Sequence, residues 1–326
     1  MPATIVIRAE GLGKQFGTLT ALADFHLTVA AGESFALVGP DGAGKTTAIR
    51  ILCGIMDPDH GQATILGYDT VKGAEQIKEQ IGYMPQRFGL YDDLTVAENL
   101  HFYADIYRVP RAVRQQRVPE LLRFANLERF QDRLAANLSG GMRQKLGLIC
   151  TLVHHPRIIF LDEPTFGVDP VSRREFWQVL YRLLASGITI FLTTSYMDEA
   201  ERVHRVGLMH RGRLLLTDTP RGIKDTFQGE LVEVRNGNLL RARQILQEHP
   251  LVHQTLLMGD RLMLTVASGE AALGPLTQTL AAAGLSGLTL RLAGPSLEDV
   301  FVQVIRRQER LGTDQAARPH GASGGC

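Results

Sequence analysis

The segment Gly39-Pro-Asp-Gly-Ala-Gly-Lys-Thr-Thr47 constrains this chain more than any other part of its sequence. It fits the pattern G-x-x-x-x-G-K-[ST] and separates a short apolar run, residues 34–38, from a stretch with helical spacing, residues 45–53. Glycines in such a loop let backbone N–H groups turn toward phosphate oxygens, and the helix adds its positive end. The pattern predicts that Lys45 reaches the outer phosphates of a nucleotide and that the Thr46 hydroxyl holds Mg²⁺. The rest of the loop would surround the phosphates: Gly39, Pro40, Asp41, Gly42, Ala43, Gly44 and Thr47. A glycine-rich turn with a chance lysine is the alternative, and the flanking strand and helix argue against it.

Two carboxylates follow a second apolar run, residues 157–161. Ligands of open α/β sheets bind at the carboxyl ends of the strands. Asp162 suits the coordination of Mg²⁺, and Glu163 suits a general base that activates water for attack on a γ-phosphate. Acids at strand ends are often only turn residues, but the phosphate-binding loop upstream favours the catalytic interpretation.

The segment Leu138-Ser-Gly-Gly-Met-Arg-Gln144 supplies a second surface that can bind an anion. Gly140 and Gly141 leave backbone N–H groups accessible at the start of a predicted helix, residues 141–153, and Ser139 adds a hydroxyl. Alone, this segment is better explained as a helix N-cap, because serine is a preferred capping residue. Its position between the other two motifs favours the functional interpretation.

Apolar runs alternate with helical segments through the first two thirds of the chain. This alternation predicts an α/β fold with a mostly parallel sheet covered by helices on both faces. Near the amino end, residues 4–9 and 25–29 have strand patterns, and Gly11–Thr20 is predicted to be the loop between them.

The composition changes near Pro220, and a small α+β domain is predicted beyond it. A hairpin signal at Gly259-Asp260 lies among its strands and helices. The predicted domains are residues 1–225 and 226–310. The Gly-, Ala- and Ser-rich stretch 311–326 is predicted to be disordered.

Composition also limits the possible classes of protein. The formal net charge is +1, which argues against binding to nucleic acid by bulk charge. The three cysteines form neither a disulfide framework nor a CxxC metal motif. The chain begins without the pattern of a signal peptide, and no apolar run approaches 18 residues, so a cytosolic chain that does not itself span a membrane is expected.

These motifs, in this order, resemble those of the ATPase subunits of ABC transporters over about residues 4–225. The matching parts are residues 39–46 (Walker A), Gln86 (Q-loop), residues 138–144 (signature), residues 158–163 (Walker B) and Gly167-Val-Asp-Pro170 (D-loop). The resemblance implies a P-loop NTPase of ABC type, with a RecA-like core in a mixed sheet and a helical subdomain at about residues 87–150. It also implies ATP and Mg²⁺ as cofactors.

The resemblance assigns further roles. Two ATPase domains would stack head to tail, so that Ser139, Gly140 and Gly141 of one complete the ATP site of the other. Gln86 would contact Mg²⁺ and sense the membrane partner, and Asp169 would lie at the dimer seam. Phe16 stands where an aromatic ring stacks on adenine, although from sequence alone it could equally be a core residue.

One position departs from the family pattern. The strand at residues 188–193 should be followed by a histidine that contacts the γ-phosphate and holds Glu163 and the water, but Ser195 occupies that place. Serine is shorter and does not titrate near neutral pH. Two interpretations stay open: a tolerated variation with slower hydrolysis, or an asymmetric pair in which this chain's own site mainly binds ATP.

The second domain resembles the appendix on ATPases of the drug and antibiotic export branch, through Gly294–Phe301. The segment Arg87–Asn99 also matches that branch. The resemblance implies a peripheral subunit at the cytoplasmic face of the inner membrane. Its partners would be ABC-2-like permease subunits and a second ATPase domain, as homodimer or heterodimer, and its cargo drug-like or another small hydrophobic compound.

Two alternatives to an exporter subunit remain. One is an ATP-dependent dimerisation subunit with impaired hydrolysis, which Ser195 supports. The other is a soluble, non-transport ABC ATPase acting on ribosomes or DNA. Such proteins usually carry two ATPase domains or long coiled coils, whereas this sequence has one phosphate-binding loop, no heptad run and a near-neutral charge.

Overall fold

The computed structural model describes residues 4–316, with side chains through Gln308. The chain divides after Pro220 into two compact units, somewhat before the predicted boundary at 225. The strands of the first unit are β1 (Ile5–Phe16), β2 (Leu19–Ala30), β3 (Ser34–Val38), β4 (His60–Ile65), β5 (Tyr68–Asp69), β6 (Ile81–Met84), β7 (Ile158–Asp162), β8 (Thr189–Thr194), β9 (Arg205–His210) and β10 (Arg213–Asp218). Its helices are α1 (Lys45–Leu52), α2 (Ala74–Lys78), α3 (Val96–Ile106), α4 (Arg111–Phe124), α5 (Gly140–Cys150), α6 (Pro170–Ala185) and α7 (Met197–Ala200).

The central sheet has six strands in the order β10-β9-β3-β8-β7-β6. All neighbours pair in parallel except β10, which pairs antiparallel with β9. Every residue of β3, β7 and β8 is buried. These strands are continuous apolar runs because helices cover both faces of a parallel sheet. The register pairs Val38 with Thr194 and Asp162 with Thr193, so the segments after β3, β7 and β8 meet at one edge.

A second sheet, in the order β2-β1-β4-β5, is antiparallel throughout. The predicted loop at Gly11–Thr20 is wrong, because β1 and β2 run through it and turn only at residues 17–18. Leu12 is fully buried there. Gly17 lies in that turn, whereas Gly11, with a φ of 61°, lies where the pairing of β1 with β2 is irregular.

Between its first and last helices, the second unit has the order strand, helix, strand, strand, helix, strand. Its elements are α8 (Pro220–Asp225), β11 (Glu230–Arg235), α9 (Leu239–Leu246), β12 (Val252–Met258), β13 (Arg261–Val266), α10 (Gly269–Ala282), β14 (Thr289–Ala293) and α11 (Leu297–Ala316). The strands form one antiparallel sheet, β12-β13-β11-β14, which is the split β-α-β arrangement. Helices α9 and α10 pack against one face and bury an apolar core that includes Val232, Leu264 and Leu276.

The first residues of the stretch 311–326, which is predicted to be disordered, lie in helix α11. Helix α11 continues to Ala316, and Gly312 lies within its last turns. Residues 317–326 lie outside the described residues.

The opposite face of this small sheet contains a buried carboxylate. Glu233 is 2% exposed and is surrounded by Arg235 at 2.9 Å, Arg261 at 3.7 Å and Arg291. Burial alone would raise the pKa of Glu233, but the hydrogen bonds from Arg291 and Arg235 outweigh it and lower the pKa. The charged form therefore stabilises the folded state.

Glu233→Gln is expected to lower the free energy of unfolding by about 2 kcal/mol at neutral pH, since charge-assisted hydrogen bonds are lost. A carboxylate with a lowered folded-state pKa contributes stability above its unfolded pKa and loses it as pH falls through the folded one. The difference between the two proteins should therefore shrink in acid. Denaturant unfolding between neutral and acid pH measures this. Glu75→Gln, at an exposed pair with Lys78, is the control. A difference independent of pH would contradict the assignment.

Candidate functional site

The phosphate-binding loop connects β3 to α1 and lies against the neighbouring strands. At Gly44 the backbone has a φ of 103°, and an added Cβ would lie 2.2 Å from the carbonyl oxygen of Ala21 in β2. At Gly39, an added Cβ would lie 2.2 Å from the carbonyl oxygen of Met209 in β9. Glycine is therefore required at both positions by close backbone packing.

Lys45 is the first residue of α1, and its side chain is 3% exposed. Its ammonium donates to the carbonyl oxygens of Gly39 at 2.8 Å and Pro40 at 3.2 Å. It also lies 2.9 Å from Ser195 Oγ and 2.9 Å from Glu163 Oε1. The buried charge is thus paired and hydrogen-bonded, as a lysine in such a place must be.

Asp162, the last residue of β7, is 2% exposed and accepts two hydrogen bonds at Oδ1. The donors are Thr193 at 2.6 Å and Thr46 at 3.2 Å. Burial raises the pKa of Asp162, while the two threonines counteract part of that rise. Thr193 was not identified from the sequence. It joins β8 to the acidic pair, because its hydroxyl also accepts from the Glu163 amide at 3.0 Å.

The donor set around Asp162 fits Mg²⁺. A threonine hydroxyl and a carboxylate are hard oxygen ligands, and Mg²⁺ is usually held by few protein ligands together with waters and phosphates. Within residues 4–316 no group of three His, Cys, Asp or Glu side chains is arranged to hold a metal by itself. Thr46 and Asp162 therefore suit a metal that arrives with a nucleotide.

Glu163 has a backbone φ of 48°, in the left-handed region that non-glycine residues seldom occupy. Its side chain is 9% exposed and points at Lys45 and Ser195. Holding a residue there costs on the order of 1 kcal/mol, and such residues cluster at active sites. The hydrogen bonds of the Glu163 amide to Thr193 secure this conformation.

Ser195 follows β8 and contacts three charged groups. Its Oγ accepts from Lys45 at 2.9 Å, and it lies 3.0 Å from Glu163 Oε1 and 3.3 Å from Asp41 Oδ1. A hydroxyl has one proton, so it donates to Glu163, the nearer carboxylate. Ser195 thus contacts Glu163, the residue that the histidine of the family pattern is expected to hold in place.

A buried glutamate anchors the segment that carries Ser195. Glu199 in α7 is fully buried and accepts from Thr194 at 2.7 Å, from Trp177 at 3.4 Å and from Thr165. Sequence reasoning missed this residue. An acid on a short helix carries no signal that its partners lie on β8, on α6 and in the loop after β7.

Most of the predicted site residues line an open cleft of about 500 Å³. Its lining residues are Phe16, Leu19, Ala21, Asp41, Gly42, Ala43, Gly44, Lys45, Thr46, Thr47, Gln86, Glu163 and Phe166. Phe16 is 47% exposed, so it is not a core residue. Gln86 comes from the segment after β6. Phe166 was not predicted, and its ring is exposed. The signal in the sequence would have been an aromatic residue three positions after Glu163.

The signature segment does not line this cleft in the described part of the chain. Ser139 is the N-cap of α5 and accepts from the Met142 amide at 3.3 Å. Gly141 packs against α6, where an added Cβ would lie 2.3 Å from Ser172 Cβ, whereas Gly140 faces open space. Within one chain, therefore, this segment is both a helix cap and an accessible surface.

Asp169 also lies outside the cleft. It caps α6 by accepting from the amides of Val171 and Ser172 at 3.0 Å each. The hydrogen bonds from Ser172 lower the pKa of Asp169. The exposed Val171 follows it on the same surface.

Comparison with known proteins agrees with this geometry. The profile of the family described as ABC transporter matches residues 22–166. The Nod factor export ATP-binding protein I of Ralstonia nicotianae is 35% identical over 94% of this chain and 96% of its own length. The daunorubicin resistance ATP-binding protein DrrA2 of Streptomyces coeruleorubidus is 33% identical over 95% and 98%.

The chain belongs to the ABC transporter ATP-binding family. A probable multidrug ABC transporter ATP-binding protein, YbhF of Escherichia coli, is 42% identical over 92% of this chain. The chain spans only about half of that relative, 52% of its length. No helix within residues 4–316 is long and apolar enough to cross a membrane.

Solved structures confirm the predicted fold class of this ABC family chain. A structure described as the ATP binding subunit of an ABC transporter has a TM-score of 0.62 at 32% identity, covering 68% of this chain and 93% of that one. A dimeric, post-hydrolysis ATP-binding cassette bound to ADP and Pi has a TM-score of 0.59 at 26% identity, covering 65% and 98%.

Thr193→Val is expected to lower the free energy of unfolding by about 2 kcal/mol, because a buried carboxylate and a buried amide lose a partner. Thr193→Ser keeps the hydroxyl and removes one methyl group, so it should cost only about 1 kcal/mol. Denaturant unfolding of the two variants measures the order. A serine variant less stable than the valine variant would show that packing, rather than the hydroxyl, matters at this position.

Proposed function

We propose that this chain is the ATP-binding and ATP-hydrolysing subunit of an ABC-type exporter. The observation that carries the proposal is the arrangement at the sheet edge. Lys45 of the phosphate-binding loop, the strained Glu163 and Ser195 meet within 3.0 Å of one another, beside the Thr46–Asp162 pair. The relatives named for multidrug, daunorubicin and Nod factor export support the exporter assignment.

Nucleotide binding would replace Glu163 by phosphate as the partner of the Lys45 ammonium. In the structure Lys45 is paired with Glu163. A bound ATP places its outer phosphates at the loop, where the Lys45 ammonium and the N–H groups at the start of α1 can bind them. Phe16 at the mouth of the cleft offers an exposed ring for the adenine. Moving Lys45 to phosphate leaves the Glu163 carboxylate free to accept a proton.

Mg²⁺ would be held by Thr46 and Asp162, with Gln86 lining the same cleft. When bound, Mg²⁺ would supply positive charge that neutralises the phosphate oxygens. Glu163 then takes a proton from water as the water oxygen bonds to the γ-phosphorus and the bond to the β-phosphate oxygen breaks. The products are ADP and inorganic phosphate.

Ser195 would orient the base through one hydrogen bond. Its hydroxyl donates to Glu163 Oε1 at 3.0 Å, but it cannot titrate near neutral pH as histidine does. This contact supports a slow but active site. A second candidate function is an ATP-dependent dimerisation subunit, favoured by the same serine if its contact with Glu163 is too weak to hold the base and water in line.

The signature segment would serve a second ATPase domain. Ser139 and Gly140 are exposed and present the N-terminus of α5, and Asp169, Val171 and Phe166 are exposed as well. An anion-binding surface outside its own cleft fits a head-to-tail pair in which each chain completes the other's site. The dimeric relative of known structure supports such a pair.

The membrane partner would dock in a groove beside the helical subdomain. This groove has a volume of about 800 Å³ and lies between α2, β6 and the turn from α3 to α4. Its rim includes the exposed apolar residues Ile55, Ile106 and Val113. Charged residues such as Glu79 and Arg108 also line it. A groove with apolar and charged sides fits an amphipathic helix, here from an ABC-2-like permease. The chain would then act as a peripheral subunit at the cytoplasmic face of the inner membrane, energising efflux of a small hydrophobic compound.

Lys45→Ala is expected to weaken ATP binding by at least about tenfold, or 1.4 kcal/mol, because the charge that meets the phosphates is gone. Titration with ATP and Mg²⁺ measures the dissociation constant. Lys78→Ala removes an exposed lysine paired with Glu75 and should bind normally. Unchanged ATP affinity in the Lys45 variant would show that this cleft is not the nucleotide-binding site.

Glu163→Gln keeps the shape of the side chain and loses the proton acceptor, so hydrolysis at this site should fall by at least about a hundredfold while ATP still binds. Ser195→Ala removes one hydrogen bond, worth about 1 kcal/mol, and should slow hydrolysis by about fivefold. Steady-state ATPase rates with the permease present give both effects.

The contrast between these variants separates the candidate functions. If Glu163→Gln changes turnover little while ATP binding persists, this chain's own site does not hydrolyse and the dimerisation function stands. If both variants lose activity in the stated order, Glu163 is the base and Ser195 its support. Normal turnover in both would exclude this cleft as the hydrolytic site.

A further inference from the structure

Asp59, which lies between α1 and β4, binds the end of β1 at three successive residues. Its backbone amide donates to the Gly13 carbonyl at 2.9 Å. Its carboxylate accepts from the Lys14 ammonium at Oδ1 and from the Gln15 amide at Oδ2, each at 2.7 Å. The hydrogen bonds from Lys14 and from the Gln15 amide lower the pKa of Asp59, so the carboxylate is charged at neutral pH.

These bonds begin where the pairing of β1 with β4 ends. The last paired residues of the two strands are Gly13 and His60, and a Cβ added to Gly13 would lie 1.9 Å from the His60 ring. The pairing of β1 with β2 is irregular on both sides of Lys14. Because a strand is held less firmly where its ladder is disrupted, the Asp59 carboxylate fixes a part of β1 that strand pairing alone fixes poorly.

Phe16 directly follows the residues that Asp59 holds. Its ring is 47% exposed and lines the cleft, so packing restrains it little and its place depends on the backbone that carries it. The Lys14 ammonium lies 5.9 Å from the centroid of this ring, within the range of a cation–π contact. Asp59 therefore binds both the backbone before Phe16 and the cation beside its ring.

Asp59 also links the ring to the phosphate-binding loop. The chain runs from Lys45 through α1 to the segment that ends at Asp59. Helix α1 is held firmly, because Ile49 and Leu52 are fully buried in the core of the first unit. A nucleotide must contact Lys45 and Phe16 at the same time, and a site that is already arranged loses less affinity to ordering. The spacing between the two residues should therefore matter for the base.

We propose that Asp59 is a positioning residue for the base of the nucleotide: it holds Phe16 where the ring can stack on adenine, and it has no part in binding the phosphates. The inference rests on the proposed nucleotide-binding function and deepens it, because it assigns part of the affinity for the base to a residue outside the cleft. Among the residues that the structure describes, Asp59 does not line the cleft, so its effect would pass through Phe16.

The test is titration of the full chain with ATP and with inorganic tripolyphosphate, each with Mg²⁺. Tripolyphosphate has the phosphate chain and no base. Phe16→Ala should weaken ATP binding by about tenfold, because base stacking is lost. Asp59→Ala should weaken it by at least about threefold, because the ring must then be ordered on binding. Both variants should bind tripolyphosphate within about 1.5-fold of the unmodified chain, since the phosphate-binding loop is intact.

A double variant shows whether Asp59 acts through the ring. In the Phe16→Ala background, Asp59→Ala should change ATP affinity by less than about 1.5-fold, because residues that act through one contact are not additive. A loss of threefold or more in that background would overturn the proposal. This comparison also decides the matter if tripolyphosphate binds too weakly to be titrated.

The matched control is Asp69 in β5 of the same sheet. Its carboxylate also accepts from backbone amides, those of Val71 at 3.0 Å and Lys72 at 2.9 Å, but it does not contact residues 13–16. Asp69→Ala should leave the affinities for ATP and tripolyphosphate unchanged. If Asp69→Ala weakened ATP binding as much as Asp59→Ala does, the effect would belong to the sheet in general, which would overturn the proposal.

The remaining outcomes separate this inference from the proposed function. If Asp59→Ala weakens both ligands equally, or neither, the inference is overturned while the proposed function stands. The same holds if Phe16→Ala leaves ATP binding unchanged. If the unmodified chain does not bind ATP, the proposed function fails and the inference fails with it. If Asp59→Ala does not fold, Asp59→Asn takes its place. It keeps an acceptor for the Gln15 amide and loses the ion pair with Lys14, and it should still weaken ATP selectively, by at least about twofold.

Discussion

A buried lysine ammonium holds the functional edge of this protein together. Lys45 is almost fully enclosed, and its charge is balanced by Glu163, by two loop carbonyls and by Ser195. Removing an ammonium and a carboxylate from water costs several kcal/mol each, and pairing offsets this only when the geometry is good. The pair therefore adds little net stability. A triphosphate brings more negative charge and more acceptor oxygens, so nucleotide can displace Glu163 from the same cation.

That exchange is possible only because the parallel sheet places three segments at one edge. The loop after β3 supplies the cation, the end of β7 supplies the two acids, and the end of β8 supplies Thr193 and Ser195. The register fixes their distances, because each strand is buried along its whole length and cannot slip without exposing apolar side chains. The core of the first unit and the geometry of its site thus depend on the same strand pairing.

The sequence revealed the parts of the site whose chemistry is local. Lys45, Thr46, Asp162 and Glu163 could be predicted because each motif directly follows a strand whose apolar character is evident. The tertiary partners could not. Thr193 and Asn99 are polar residues in elements predicted from their neighbours, and nothing in a single sequence says which carboxylate or backbone they reach. The loop predicted at Gly11–Thr20 failed for a related reason, since cross-strand pairing decides whether a glycine lies in a loop or in an irregular strand.

The role of Ser195 depends on the position of the Lys45 ammonium. In the structure its hydroxyl accepts from Lys45 and donates to Glu163, so it sits between the cation and the base. In the structure the Ser195 hydroxyl also has two carboxylates within reach, Glu163 at 3.0 Å and Asp41 at 3.3 Å. One hydroxyl proton cannot serve both, and either bond is worth about 1 kcal/mol. A base held by one such bond is oriented for part of the time, which corresponds to about a fivefold difference in rate rather than to the presence or absence of hydrolysis. The contact of Ser195 with Glu163 therefore fits a slowed site, whereas a non-hydrolysing site requires that this one hydrogen bond fails to hold the base and the water in line.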